Sequence, residues 1–296
     1  MELRQLKYFV AVAEEANFTR AAERVHISQP GISAQIRQLE QDLGATLINR
    51  SGRTAAPTAV GEVALGHARA VLAAAQALRE AVDEMNGLVR GRLVVGMVTA
   101  CTVTPLFDAL AAFRRAHPGV EISLVEDDSA VLVERVREGA VDLALIGAAG
   151  RPPQDLDGWP VVSEPLVAAV PSDHPLAARE EITLAELCGE PVICLPPGTG
   201  VRAVLDRTAA EHGLSPAVAL QASAPNAVID LALRGLGVAV LSRSMVAGRT
   251  DLRALSLTGA DLPAVLALVS APAASPALRE LLVHCRASFR LPAEDR

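Results

Sequence analysis

Gln29 and Ser33 stand four residues apart, about one turn of an α-helix, with Pro30 beside the first and Arg37 four further on. A glutamine amide can pair with the edge of adenine through two hydrogen bonds, a serine hydroxyl can donate or accept, and a proline ring can touch a thymine methyl. Gln29, Pro30 and Ser33 are therefore the candidate base readers of this chain. Arg37 suits phosphate oxygens better, as do Thr19, Arg20, Arg50 and Arg53. Ser28 has two readings, a contact to DNA or a plain helix cap. A polar helical face by itself is more often only solvated, so the elements around these residues must decide.

A second set of polar residues falls in three loops. Thr99-Ala100-Cys101-Thr102 follows an apolar run at 93–98, Asp127-Asp128-Ser129 precedes a helical pattern at 130–138, and Pro197-Gly198-Thr199-Gly200-Val201-Arg202 precedes another. Each lies where a strand ends and a helix begins, the place at which open α/β sheets bind ligands. Unpaired N–H groups and the positive end of a helix dipole favour an anion there, so a small carboxylate is the expected ligand class. The competing reading is that Thr99, Ser129 and Thr199 only cap helices. Gly198-x-Gly200 lacks the third glycine and the acidic partner of a dinucleotide site, so no cofactor is expected.

Enzyme chemistry has little support. His26, His67, His117, His174, His212 and His284 are scattered, and neither His-Glu-x-x-His nor Gly-x-Ser-x-Gly occurs. Cys101, Cys188, Cys194 and Cys285 form no Cys-x-x-Cys pair, so neither a metal site nor a disulfide framework is predicted.

The elements that must position these residues follow from periodicity. Leu3, Leu6, Phe9, Val10 and Val12 predict a first helix, and Thr19 with Glu23 suits the start of a short second one over 20–25. Ser28 is the N-cap candidate of a third, with Pro30 tolerated in its first turn, Ile32, Ile36, Leu39 and Leu43 on one stripe, and Gly44 as its stop. Two helices joined by residues 26–28 match a helix-turn-helix, with the third helix reading DNA. Extended pieces at 46–48 and 54–57 around Ser51-Gly52 read as a wing. From Ala59 to about Val89 no proline occurs, and Val71, Ala75, Leu78, Val82, Met85 and Val89 recur at alternating spacings of four and three. That heptad seam suits pairing with a second chain. Beyond Gly91, apolar β-rich runs alternate with helical ones, the pattern of parallel βαβ units grouped into two subdomains, with a hinge near 161–164 and 265–270.

Apolar residues make up 51 % of the 296 residues and charged ones 21 %, a balance that forms packed cores rather than disorder. The net charge of −7 would argue against nucleic acid if it were evenly spread. Residues 1–60, however, hold 7 Lys+Arg against 6 Asp+Glu, so the acidity belongs to the remainder. Within the first part, Arg20, Arg24, Arg37, Arg50 and Arg53 can gather on one face. Glu2, Arg4, Lys7, Glu14 and Glu15 interrupt the N-terminal apolar residues, so 1–17 does not read as an export signal, and no uninterrupted membrane span follows. A cytoplasmic protein is expected. A free-standing solute-binding protein is the main rival reading, but such a protein normally carries an export signal, which 1–17 does not resemble, and has no need of residues 1–89.

Phe18-Thr19-Arg20-Ala21-Ala22-Glu23-Arg24-Val25-His26-Ile27-Ser28-Gln29-Pro30, followed by Ser33, Ile36, Leu39-Glu40, Leu43-Gly44, Leu47, Arg50, Thr58 and Gly61, closely resembles the N-terminal signature of LysR-type transcriptional regulators. The resemblance continues at Val141-Asp142-Leu143-Ala144-Leu145, His174-Pro175-Leu176-Ala177 and Gly235-Leu236-Gly237-Val238-Ala239. Gly31 and Ile48 depart from it, where alanine and phenylalanine are usual. It implies an α/β protein with a winged helix-turn-helix over 1–58, a linker and dimerisation helix over 59–89, and an effector-binding domain over 90–296 that resembles periplasmic solute-binding proteins. Subdomain I is expected at 90–162 and 268–296, subdomain II at 163–267. It also implies that the three polar loops face an interlobe cleft with Asn226, and that effector binding shifts subunit orientation and DNA bend. The implied partners are promoter DNA, a small-molecule effector, a second copy or three further copies of the chain, and RNA polymerase, with no membrane.

Overall fold

A computed structural model describes residues 1–50, 54–85, 90–99, 103–272 and 274–291, without the side chains of 79–81 and 83–85. The chain divides into two compact units, Met1–Leu88 with Glu138–Ala140, and Val89–Arg137 with Val141–Arg296.

In the first unit, α1 (Leu3–Glu15), α2 (Phe18–Arg24) and α3 (Gln29–Leu43) bury Phe9, Val12, Ile32, Ile36 and Leu39 against one another. The second helix starts earlier than predicted. Asn17, not Thr19, is its cap: the Asn17 Oδ1 accepts from the Thr19 and Arg20 amides at 2.8 and 3.1 Å. Ser28 caps α3 as expected, its hydroxyl accepting from Gly31 N at 3.2 Å, and Gly44 ends the helix at φ +67°. A Cβ at Gly31 would lie 3.1 Å from the Ser28 Oγ, so this glycine leaves room for the cap at the expense of helix propensity.

Strands β1 (Ile48–Asn49) and β2 (Ala56–Pro57) pair antiparallel where the wing was expected, and Ser51, Gly52 and Arg53 lie outside the described residues. Helix α4 (Ala59–Met85) follows. Its first turn rests on the wing base: Thr58 Oγ1 donates to Thr46 O at 2.7 Å and accepts from Gly61 N at 2.9 Å, while Thr58 N donates to Leu47 O at 2.9 Å. A Cβ on Gly61 would stand 2.0 Å from that same Leu47 carbonyl oxygen. Gly61→Ala is therefore expected to push α4 off the wing base and cost about 1–3 kcal/mol. Thermal unfolding of the full chain checks this, and an unchanged midpoint would refute the close approach. Further along α4, Val71, Leu78 and Val82 of the predicted seam are exposed. The Met85 side chain and Val89 lie outside the described residues.

The second unit has two lobes. The first contains β3 (Gly91–Val98), α5 (Thr104–Ala116), β4 (Val120–Asp127), α6 (Ser129–Arg137), β5 (Leu143–Ala149) and β6 (Asp157–Glu164). The second contains β7 (Leu166–Pro171), β8 (Glu181–Thr183), α7 (Leu184–Leu187), β9 (Val192–Cys194), α8 (Gly200–Glu211), β10 (Val218–Gln221), α9 (Pro225–Leu233), β11 (Val238–Ser242) and β12 (Leu252–Thr258). The chain then returns to the first lobe as β13 (Ala264–Ser270) and α10 (Pro276–Phe289). The sheets run β4-β3-β5-β13-β6 and β10-β9-β11-β7-β12-β8.

Both sheets are mixed, where parallel units were expected. Strand β13 is antiparallel to β5 and β6, and β7 is antiparallel to β11 and β12. The cause is topological: one segment crosses from the first lobe to the second and another crosses back, so the two must run in opposite directions. Pro165 and Pro263 stand at these crossings, where a residue without an N–H interrupts a ladder. Residues 163–164 and 264–267 consequently belong to the first sheet rather than to subdomain II. Helices α5 and α10 cover one face of that sheet through Leu106, Phe113, Leu281 and Cys285, while α6 covers the other through Leu132 and Val136. Burial pushes the Cys285 thiol up to about 12, which keeps it protonated and inert. No helix among the described residues is long and apolar enough to cross a membrane.

Candidate functional site

In the first unit, the start of α2, the first turns of α3 and the wing base enclose a concavity of about 290 Å³. Gln29, Ser33 and Arg50 line it together with Asn17, Phe18 and Thr54. Three of the nine residues predicted to face DNA thus meet in one place, although Arg50 is 21 residues from Gln29 in the chain. Gln29 and Pro30 are exposed on the first turn of α3, which Ser28 holds in register. Thr19 and Arg20 are exposed in the first turn of α2. Arg53 lies outside the described residues.

Three of these arginines are already engaged, Arg20 with the carboxylate and carbonyl of Glu15. Arg37 folds back one turn, its Nη2 donating to Ser33 Oγ at 3.2 Å and its Nε to Ser33 O at 3.3 Å. Ser33 therefore keeps its O–H as a free donor, whereas its acceptor role is shared with Arg37. Arg50 donates to Glu40 Oε2 at 2.7 Å and its guanidinium lies over the Phe18 ring, 5.7 Å from the centroid. Glu40 also accepts from Leu47 N and Ile48 N at 2.9 and 3.2 Å, which ties the third helix to the wing base. A charge-assisted bond and a ring face hold the Arg50 head in one orientation before any phosphate arrives. Glu40 and Phe18 were missed as site residues because a carboxylate and an apolar ring carry no phosphate-binding signal of their own.

In the second unit, the loop at 127–129 is in direct contact with the loop at 197–202. Asp128, rather than Ser129, caps α6: its Oδ1 accepts from Val131 N at 2.9 Å. Ser129 is instead the first helical residue and is buried, its Oγ accepting from Gly147 N at 3.0 Å and its own amide donating to Gly198 O at 3.2 Å. Thr199 caps α8, accepting from Arg202 N at 3.4 Å and donating to Pro196 O at 3.0 Å. Glycines make this junction tight. A Cβ on Gly147 would lie 2.5 Å from Gly200 N, one on Gly200 2.9 Å from Ala148 N, and one on Gly198 2.8 Å from Asp128 Cβ.

The remaining expected residues are placed differently. Arg202 turns into its own lobe, its Nε 2.7 and 2.8 Å from the Asp206 carboxylate and its Nη1 3.5 Å from Cys194 Sγ. Burial pushes the Cys194 thiol up, against the pull of that guanidinium. Thr99 and Asn226 are exposed, with Thr99 N donating to Asp127 O at 3.1 Å. Ala100, Cys101 and Thr102 lie outside the described residues. From the contact of Ser129 and Gly198, α6 and α8 diverge and leave a groove of about 1010 Å³, floored by the end of β5 and closed by Leu262 and Pro263.

Comparison with known proteins finds matches for both parts of the chain. A family model described as a bacterial regulatory helix-turn-helix protein, lysR family, matches residues 3–62, and one described as a LysR substrate binding domain matches residues 86–290. Over 290 residues the chain is 33 % identical to the Hca operon transcriptional activator HcaR of Escherichia coli (strain K12), covering 95 % of this chain and 96 % of that one. Its fold is similar to full-length OxyR from Pseudomonas aeruginosa, with a TM-score of 0.74 at 26 % identity over 99 % of this chain and 96 % of OxyR. Full-length CbnR, solved in complex with its target DNA, gives a TM-score of 0.59 at 26 % identity over 97 % of this chain and 100 % of CbnR.

Proposed function

Since the chain belongs to the LysR family of helix-turn-helix transcriptional regulators, we propose that it reads base edges with Gln29, Pro30 and Ser33, and contacts phosphates with Thr19, Arg20, Arg37, Arg50 and Arg53. The observation that carries this reading is the shared concavity of Gln29, Ser33 and Arg50, with base-reading and phosphate-binding groups side by side on one surface. The protein works by binding rather than catalysis, in the cytoplasm, as a homodimer or tetramer whose promoter complex engages RNA polymerase. Its effector is a small carboxylate, held by the residues following β3 and by the starts of α6, α8 and α9, where helix amides favour an anion.

The experiment compares genomic fragments retained by the purified chain with random DNA of equal length. Gln29→Ala is expected to cost about 1–3 kcal/mol on the retained fragments and little on random DNA, because only a base contact is lost. Equal losses on both would refute base reading by Gln29. Arg50→Ala is expected to weaken both and to lower the slope of log affinity against log salt by about 0.9, the mark of one phosphate contact. A slope that stayed at the parent's value would remove Arg50 from the phosphate set.

A further inference from the structure

We propose that Arg37 decides which bases Ser33 reads. By occupying the acceptor side of the serine hydroxyl, it turns Ser33 into a hydrogen-bond donor that selects a base edge carrying an acceptor and rejects the amino edge of cytosine. The proposal rests on the base reading by Ser33 put forward above, and it gives Arg37 a positioning task beyond phosphate contact.

The geometry of Arg37 suits that task. It does not line the concavity in which Gln29, Ser33 and Arg50 meet, and it touches that surface only through Ser33. Both of its side-chain hydrogen bonds go to this one residue, Nη2 to Oγ at 3.2 Å and Nε to the main-chain O at 3.3 Å. Two prongs on one residue hold the hydroxyl in a single staggered rotamer. The neighbouring arginines differ: Arg20, Arg24 and Arg50 pair with the carboxylates of Glu15, Glu14 and Glu40. Among the described residues no carboxylate pairs with Arg37, so its positive charge lies beside the Ser33 hydroxyl without a counter-charge of its own.

That charge has a defined consequence for recognition. A serine hydroxyl carries one donor and two acceptor lone pairs. Arg37 fills one lone pair, and a second N–H arriving at the other would bring its positive hydrogen up to a cation. The same cation draws density from the oxygen and strengthens the O–H as a donor. Among the described residues this O–H has no acceptor, not even the Gln29 carbonyl one turn earlier, to which a helical serine often donates. The donor is left for a base. In the major groove guanine offers N7 and O6, adenine N7 and thymine O4 as acceptors, whereas cytosine offers only its N4 amino donor. Discrimination against cytosine at the base facing Ser33 follows.

The test titrates the full chain with one genomic fragment that it retains and with every single base-pair substitution of that fragment. Ser33→Ala identifies the base pair that Ser33 reads, as the position at which the variant stops discriminating. There the parent is expected to bind about tenfold more weakly when cytosine faces Ser33, equal to about 1.4 kcal/mol. Arg37→Met is expected to reduce that factor to about threefold or less. The double variant should match Ser33→Ala alone at this position, because the two side chains act as one unit. Arg37 is exposed, and a thermal unfolding midpoint equal to the parent's reports that the head is intact. Uniform weakening by Arg37→Met at all positions, with discrimination at the Ser33 position preserved, would overturn the proposal and leave Arg37 a phosphate contact only. A parent preference for cytosine at that position would overturn it as well. A profile that Ser33→Ala leaves unchanged throughout would instead refute base reading by Ser33 itself, and this proposal with it.

Discussion

Leu78→Asp is expected to take the oligomer apart. Val71 and Leu78 are separated by one heptad on α4, a helix of 27 residues and about 40 Å, and are 43 % and 68 % exposed. Large side chains left in water at seam positions of so long a helix make the face that we expect a second copy of the chain to cover. An aspartate there enters a dry interface without a partner, at a cost of about 3–5 kcal/mol, or more than a hundredfold in dissociation constant. Sedimentation equilibrium reads this directly. Because a single head reaches only one half-site, the slope of log affinity against log salt should also fall toward about half. A variant with the parent's mass would show that the seam does not hold the copies together.

Gly200→Val should have the second large effect, confined to the second unit. No Cβ fits at the interlobe junction, because both Gly147 and Gly200 meet backbone atoms at 2.9 Å or less. A branched side chain must force α8 away from the end of β5, and small-to-large changes in packed sites cost about 1–3 kcal/mol even for a few added carbons. The bond from Ser129 N to Gly198 O should break, with exchange of the Ser129 and Gly147 amide hydrogens about tenfold or more faster than in the parent. DNA retention should persist, because the substitution leaves the first unit untouched. Unchanged amide exchange would mean that the lobes accommodate the valine and that the junction does not control their spacing.

Much of the molecule was legible in the chain because it depends on neighbours within one or two helical turns. The third helix could be placed from Ser28, Pro30, the Ile32, Ile36 and Leu39 stripe and Gly44, each acting through a cap, a fixed φ or a 3.6-residue period. The long α4 followed from the same period. The exposure of Gln29 needed no tertiary information either, since the stripe that buries Ile32 and Ile36 turns position 29 outward.

What the chain alone did not determine lies between residues far apart in sequence. The cap of α2 is a local exception: Asn17, itself a preferred cap residue, reaches forward to the Thr19 and Arg20 amides and takes the role from Thr19. Strand β12 alternates only weakly in sequence, yet it is an inner strand, paired with both β7 and β8. Ser129 looks like a cap in sequence, but Asp128 takes that role locally, and only the approach of Gly147 and Gly198, 18 and 69 residues on, gives the serine its partners. The same holds for the pinning of Arg50 by Glu40 and for the groove between α6 and α8, whose walls come from both lobes. Local hydrogen bonds and periodicity are written into adjacent residues, whereas close backbone approach and charge convergence arise only when the two lobes' sheets, linked through Pro165 and Pro263, bring distant loops to the same point.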